Sequence, residues 1–258
     1  MTPLRIGYAG DRDIAIWCLQ FLLDRNVRPE VLLLTEPAKA SHADELRRMC
    51  DHLPDDRVLA GAEFRRPSGV ELLRSLNLDY IIGIHFPYLV PPEVLSVTKG
   101  FMNLHPAYLP YNRGWHTPSW AILEDTPIGA TFHFMDSGID SGDILHQRTL
   151  TVSPSDTANS LYARVKRLEF EVFTEAWPLL VGGDFHRRAQ VAGDGTTHTR
   201  KELFTEPVQR IDLDAPTTAR ALLRKLRALT TNRSDEAAYF VEDDKVYRVQ
   251  VAITEEER

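Results

Sequence analysis

Short, continuous apolar runs recur along the first half of the chain: LRIGYA (Leu4 to Ala9), EVLLLT (Glu30 to Thr35), DYIIGIH (Asp79 to His85) and GFMNLH (Gly100 to His105). None alternates polar with apolar, so each predicts a strand buried on both faces rather than one with a wet side. Helical patterns separate them. DIAIWCLQFLL is too apolar for a surface helix and predicts one packed against a sheet. SHAD (Ser41 to Asp44) and SGVE (Ser68 to Glu71) predict helix starts capped by their serines. Strands of this kind, interleaved with helices, predict an α/β architecture with a mostly parallel, twisted sheet covered on both faces.

The second half opens with two β-rich runs, PIGATFHFM (Pro127 to Met135) and DILHQRTLTV (Asp143 to Val152), joined by the turn-forming DSGIDSG. A long amphipathic helix is expected from near Ser155. After VGGD the character changes to FHRRAQV, a helix in TTARALLRKLRAL, and AAYFVEDDKVYRVQVAI, a β-hairpin turning on Asp243 and Asp244. A boundary near residue 184 then divides an α/β domain, residues 1–183, from a small C-terminal α+β module, residues 184–258. The strand in KVYRVQVAI offers a homodimer contact as readily as an intramolecular sheet, and TEEER reads as a frayed tail.

Composition changes this picture little: of 258 residues, 43% are apolar and 26% charged, as in ordinary globular domains that bury a full core. Charge and cysteine content change it more. A formal net charge of −7 argues against a large nucleic-acid partner, because phosphate binding draws its affinity from basic surfaces. Two cysteines, Cys18 and Cys50, supply neither a disulfide framework nor metal-ligand spacing, which points to a reducing cytoplasm and no metal. No apolar run approaches the roughly 20 residues that cross a bilayer, and MTPLRIGYAG lacks the layout of a signal peptide, so no membrane is expected.

The chemistry concentrates in FMNLHPAYLPYNRGW (Phe101 to Trp115). Ligands of parallel α/β sheets bind where strands end and loops leave. GFMNLH is such a strand end, and Pro106 helps to stop it. Asn103 and His105, two apart, project from one face of an extended segment. An imidazole can take and return a proton near neutral pH, and an amide can donate to a developing oxyanion. Together they suit acyl transfer to a nucleophile that the substrate supplies, most simply an amine. A histidine base needs an orienting carboxylate. DSGIDSGDIL offers Asp136, Asp140 and Asp143, and spacing alone does not choose among them. YAGD after the first strand is no dinucleotide fingerprint, and no phosphate-binding P-loop is present.

As a set, NLHP (Asn103 to Pro106) and GIDSG (Gly138 to Gly142) resemble the formyltransferases that use 10-formyltetrahydrofolate, most closely over residues 79–150. The resemblance implies a Rossmann-like formyltransferase fold and selects Asp140. LPYNRGWHTPSWAI and the tail from RKELFTEPVQRIDLD onward are similar to the sugar nucleotide N-formyltransferase branch, which formylates an amino-deoxysugar on a nucleoside diphosphate, commonly for lipopolysaccharide O-antigen. GWHTPSW departs from that branch's commoner basic-His-Pro spelling, so the sugar and the nucleotide, dTDP, GDP or UDP, stay open.

On this resemblance Asn103 stabilises the oxyanion, and His105, oriented by Asp140, relays the amine proton. The folate lies beside His85, Phe86, Pro87 and Tyr88 and near Asp136. Arg113 and Arg12 are the cations expected at the diphosphate, with Tyr111 and Asn112 beside the substrate. Trp115 is a further stacking candidate, Trp120 fits helix core, and His116 and His133 read as adjacent to the site. Three alternatives remain: a methionyl-tRNA formyltransferase, whose C-terminal domain is longer than residues 184–258, a formyltetrahydrofolate hydrolase, and a non-enzymatic folate or nucleotide binder, which the intact Asn/His/Asp set disfavours.

Overall fold

The computed structural model of the chain describes residues 4–191 and 193–256; the first residues of MTPLRIGYAG and the last of TEEER lie outside them. The first apolar run forms β1 (Ile6–Gly10) and leads directly into α1 (Arg12–Leu23). There follow β2 (Val31–Leu34), α2 (Ala43–Met49), β3 (Val58–Ala60), α3 (Pro67–Ser75), β4 (Tyr80–Ile84), α4 (Pro92–Leu95) and β5 (Gly100–His105). Next come β6 (Arg113–Gly114), α5 (Thr117–Glu124), β7 (Ile128–Phe134), β8 (Ile144–Leu150) and α6 (Ala158–Gly182). The last stretch holds β9 (Thr197–His198), α7 (Glu206–Gln209), α8 (Ala219–Ala228), β10 (Ala238–Glu242) and β11 (Lys245–Val249).

Seven strands form one sheet in the order β3-β2-β1-β4-β5-β7-β8. β1 runs parallel to β2 and β4, β2 to β3, and β4 to β5, while β7 is antiparallel to β5. The α/β, mostly parallel architecture is therefore the one expected, with a small antiparallel β10–β11 hairpin near the C-terminus. Strand order reverses between β1 and β4, which puts the carboxyl ends of β1, β4 and β5 at the edge where such sheets bind ligands.

The continuous apolar runs are explained by burial. Every residue of β1, β2, β4 and β7 is buried. α1 turns Ile14, Ala15, Cys18, Leu19 and Leu22 inward, and Ala9, Leu33, Phe64, Leu73, Ile81 and Phe101 share one apolar cluster.

The helix starts need correction. The cap position of α2 is His42, with no side-chain cap, and Ser41 instead gives both its N–H and its hydroxyl to Asp11 Oδ1. Ser68 lies inside α3, whose entry is set by Pro67 at the first helical position after Arg66. α6 begins at Ala158, where Thr157 and Ser160 exchange side-chain and backbone hydrogen bonds of 3.0 and 3.3 Å, a reciprocal cap.

The chain folds into two compact units. One holds residues 4–105, Thr131–Gln147 and Glu169–Val191; the other holds Pro106–Ala130, Arg148–Leu168 and residues 193–256. The second unit has its own core of Trp120, Leu203, Leu226, Leu229 and Ala238. Its hairpin turns on Asp243 and Asp244, at φ 49° and 57°, the left-handed pair that a two-residue turn of this twist requires.

Candidate active site

β5 places Asn103 and His105 on one face, 6% and 5% exposed. In the flanking strands Gly83 of β4 and His133 of β7 stand beside Asn103. Position 83 has no room for a side chain: a Cβ there would sit 2.6 Å from the Met102 carbonyl oxygen and 3.5 Å from Asn103 Oδ1. The Asn103 amide thus lies close over the β4 backbone. Its Oδ1 is buried and has no hydrogen-bond partner. An enclosed amide with an unsatisfied oxygen has the free polar capacity that a reacting ligand can use.

Asp140 stands in the loop between β7 and β8, at φ 47°. Its Oδ2 lies 3.6 Å from His105 Nδ1 and its Oδ1 lies 3.5 Å from His133 Nε2. The two imidazoles meet edge to face, 6.3 Å apart at 86°. These separations exceed a tight hydrogen bond, as is common before substrate binds. His133 Nδ1 donates to the Phe134 carbonyl at 2.8 Å, which fixes the orientation of its ring.

Three devices shape the loop. Asp136 Oδ1 accepts from the Gly138 amide at 2.9 Å and the Ser141 hydroxyl at 2.8 Å, an Asx turn. Gly142 packs so tightly that a Cβ would fall 2.0 Å from the Phe134 carbonyl oxygen. The Gln190 amide donates to the Asp140 and Gly142 carbonyls, both at 2.8 Å. An amide, a relay-competent imidazole and an orienting carboxylate therefore converge in the first unit, an arrangement that can stabilise an oxyanion and move a proton.

The remaining candidates of this unit line the same carboxyl edge. His85 follows β4 at φ 50° and bonds through Nε2 to Glu169 Oε1 at 2.6 Å. Phe86 is buried against Phe64, Phe101 and Tyr88, the Tyr88 hydroxyl accepts from the Glu36 amide at 3.0 Å, and Pro87 is exposed. Arg12 is exposed after β1, and among the described residues no ion pair engages it. Beside it, burial pushes the Asp11 carboxyl up. The amides of Ser41, Arg12 and His42 and the Ser41 hydroxyl outweigh that push, so its pKa lies below the usual carboxylate value.

Tyr111, Asn112 and Arg113 belong to the second unit. Asn112 is 1% exposed, and its amide donates to the Thr126 hydroxyl and the Pro127 carbonyl at 3.0 and 3.3 Å. Arg113 is half-buried and reaches the Asp194 carbonyl at 3.4 Å, while Tyr111 bonds through its backbone to Tyr108. Trp115 is exposed and carries Arg200 over its ring. Trp120 is core, stacked on His198 at 3.9 Å. His116 approaches Glu236 and the Arg200 carbonyl, and its pKa is lowered, chiefly by burial.

Sequence reading did not single out Glu169 or Gln190, which arrive from distant segments without a motif. No group of three or more His, Cys, Asp or Glu among the described residues could hold a metal, and no described helix is long and apolar enough to cross a membrane. A cavity of about 660 Å³ lies against Leu34, Thr35, Ser41, His42, Arg48 and Ala60, and none of the candidate residues lines it.

A family model described as formyl transferase matches residues 31–177, which contain Asn103, His105, His133 and Asp140. The chain belongs to the formyl transferase family. A model described as the N-formyltransferase dimerization C-terminal domain matches residues 205–255 of this formyltransferase. Methionyl-tRNA formyltransferase of Geobacter sulfurreducens is 29% identical over 198 residues, 74% of this chain and 62% of that protein. The dTDP-4-amino-4,6-dideoxyglucose formyltransferase of Mycobacterium bovis is 30% identical over 152 residues, 59% of this chain and 63% of that one. The chain thus spans less than two thirds of the length of these two relatives. A sugar N-formyltransferase from a Shewanella species shares the fold, with a TM-score of 0.82 at 19% identity over 98% of this chain and 99% of that one.

Proposed function

We propose that this formyltransferase moves a formyl group from 10-formyltetrahydrofolate to the amino group of a nucleoside-diphosphate-linked amino-deoxysugar. The observation that carries the chemistry is the convergence of Asn103, His105 and Asp140 at the end of β5, with 3.6 Å between His105 and Asp140. The acceptor amine attacks the formyl carbon, and the Asn103 amide donates to the oxyanion that forms. His105, oriented by Asp140, takes the proton from the amine. As the tetrahedral adduct collapses, the bond from the formyl carbon to the folate nitrogen breaks and His105 returns a proton to that nitrogen. No charge is left over, and no metal or redox partner enters the balance.

In this reading the loop from His85 to Tyr88 receives the folate, with Asp136 shaping the adjoining turn. Arg12 and Arg113 meet the diphosphate, because a guanidinium pairs with phosphate oxygens through parallel N–H donors. Tyr111 offers its ring to the sugar or base, and Asn112 supports that segment from behind. Residues 1–183 act as the catalytic domain. Residues 184–258 form the C-terminal domain and contribute a homodimer contact, which is consistent with the dimerization model over residues 205–255 and with exposed Val241, Val246 and Tyr247. A cytoplasmic address and an O-antigen or related glycan product complete the proposal.

Incubation with 10-formyltetrahydrofolate and a panel of dTDP-, GDP- and UDP-amino sugars tests it: one nucleotide should support tetrahydrofolate release together with an N-formyl product. A second reading draws on the likeness to methionyl-tRNA formyltransferase. Formylation of charged initiator tRNA, with every sugar nucleotide inert, would establish that reading instead. Folate release without any acceptor would point to hydrolysis.

A further inference from the structure

His85 and Glu169 make a contact that the reaction itself does not use. His85 Nε2 lies 2.6 Å from Glu169 Oε1, with the two side chains 8% and 0% exposed. The second carboxylate oxygen of Glu169 is buried without a hydrogen-bond partner. Removing a carboxylate from water costs several kcal/mol, and one imidazole repays that only in part. Apolar residues of similar volume would stabilise this spot equally or better. Stability therefore does not explain the pair.

Position does. His85 is the first residue past β4 and sits at φ 50°, a left-handed conformation unfavourable for a side chain with a Cβ unless its surroundings enforce it. Glu169, fixed on α6, grips the ring and so determines where the chain leaves the sheet. Register puts that exit beside the catalytic strand: Gly83 pairs with Asn103 and Ile84 with Leu104, one residue before His85 and His105. From the exit run Phe86, Pro87 and Tyr88. A shift of His85 would carry this segment with it.

We propose that Glu169, acting through His85, is a positioning residue that sets the loop after β4 for the formyl donor. This inference rests on the formyl-transfer reading, in which that loop receives the folate. Glu169 is fully buried, and its Oε1 is hydrogen-bonded to the His85 imidazole. The conservative replacement Glu169→Gln keeps an oxygen able to accept from His85 Nε2–H. The double replacement His85→Leu/Glu169→Met fills the same space without the clasp.

The test is calorimetric binding of 5-formyltetrahydrofolate, a stable donor analogue, alongside steady-state kinetics and melting temperature. Glu169→Gln should bind the analogue within about twofold of wild type. The double variant should melt no lower than wild type, yet bind the analogue on the order of tenfold more weakly and show an unchanged KM for the acceptor. Unaltered analogue binding by a well-folded double variant overturns the positioning role and leaves the formyl-transfer reading intact. Equal losses for donor and acceptor, together with a lowered melting temperature, also overturn it and mark the pair as purely structural. Failure of the wild-type protein to bind the analogue removes both.

Discussion

Asp140 Oδ1 and His133 Nε2 face each other at 3.5 Å, while the other ring nitrogen of His133 gives its hydrogen to the Phe134 carbonyl. His133 Nε2, buried and without a hydrogen-bond partner, is thus turned toward the carboxylate that the proposed relay uses to orient His105. His133→Leu, which keeps bulk and removes the ring, is expected to lower kcat by roughly 10- to 100-fold while leaving donor-analogue binding in place. An unchanged kcat would confine His133 to packing.

The candidate trio itself yields graded losses. Asn103→Ala removes the oxyanion donor and should reduce kcat on the order of 10² to 10³. His105→Asn and Asp140→Asn should each cost about 10² to 10⁴. Circular dichroism should show all three folded as wild type. Full turnover by purified His105→Asn would rule out the relay.

Arg113 separates the two substrates. Its guanidinium reaches the Asp194 carbonyl at 3.4 Å, and circular dichroism of the variant lacking it should match wild type. Arg113→Ala should raise the acceptor KM at least tenfold, the scale of one charge-assisted phosphate contact, and leave the donor KM alone. Equal KM values for variant and wild type would remove Arg113 from the diphosphate.

Gly83 tests how the amide is seated. Gly83→Ala brings a methyl to 2.6 Å from the Met102 carbonyl and 3.3 Å from the Phe101 ring. Overpacking of this kind typically costs about 1–3 kcal/mol. The expected outcome is a lower denaturation midpoint together with reduced kcat, because the same methyl crowds Asn103. Normal activity in a normally stable variant would mean that the two strands separate more easily than their packing implies.

Asp11 links stability to pH. Three donors from Ser41 and His42 converge on its Oδ1, each at 3.0 Å. The folded carboxyl is thus more acidic than the unfolded one, so its contribution is present above roughly pH 4 and fades as pH falls through the folded value. Asp11→Ala should lose about 1–3 kcal/mol at pH 7. Urea midpoints of variant and wild type should draw together below about pH 4. A gap that persists in acid would show that the hydrogen bonds do not depend on the charge.

Much of the sheet was legible because burial on both faces writes itself as unbroken apolar runs, as in VLLL of β2 and YIIGI of β4. The hairpin was legible for a different reason: Asp243 and Asp244 tolerate the left-handed turn. The serine caps misled, because Ser41 found a stronger acceptor in Asp11 and Pro67 had already set the entry to α3. The two-residue strands β6 and β9 escaped altogether, since a pairing that short leaves no period to read. Within the candidate site, the alternation of Asn103 and His105 marked one face of a strand, but choosing Asp140 over Asp136 and Asp143 needed the family resemblance. Its structural signature is clear afterwards: Asp136 is engaged in its own turn, whereas Asp140 faces two imidazoles. Glu169 stands 84 residues from His85 and Gln190 stands 50 from Asp140, distances over which chain order carries no information about contact.

The Gln190 clasp bears on where this chain could be cut. A fragment ending at residue 183 would contain each of the three proposed catalytic side chains. It would lack the peg driven into the Asp140 turn, and also the neighbouring ladder rung between Ile144 and Arg188. Grafting or truncating the proposed catalytic half therefore has to carry the strap beyond α6, or the acidic member of the trio would sit on a bend that has lost one of its three supports.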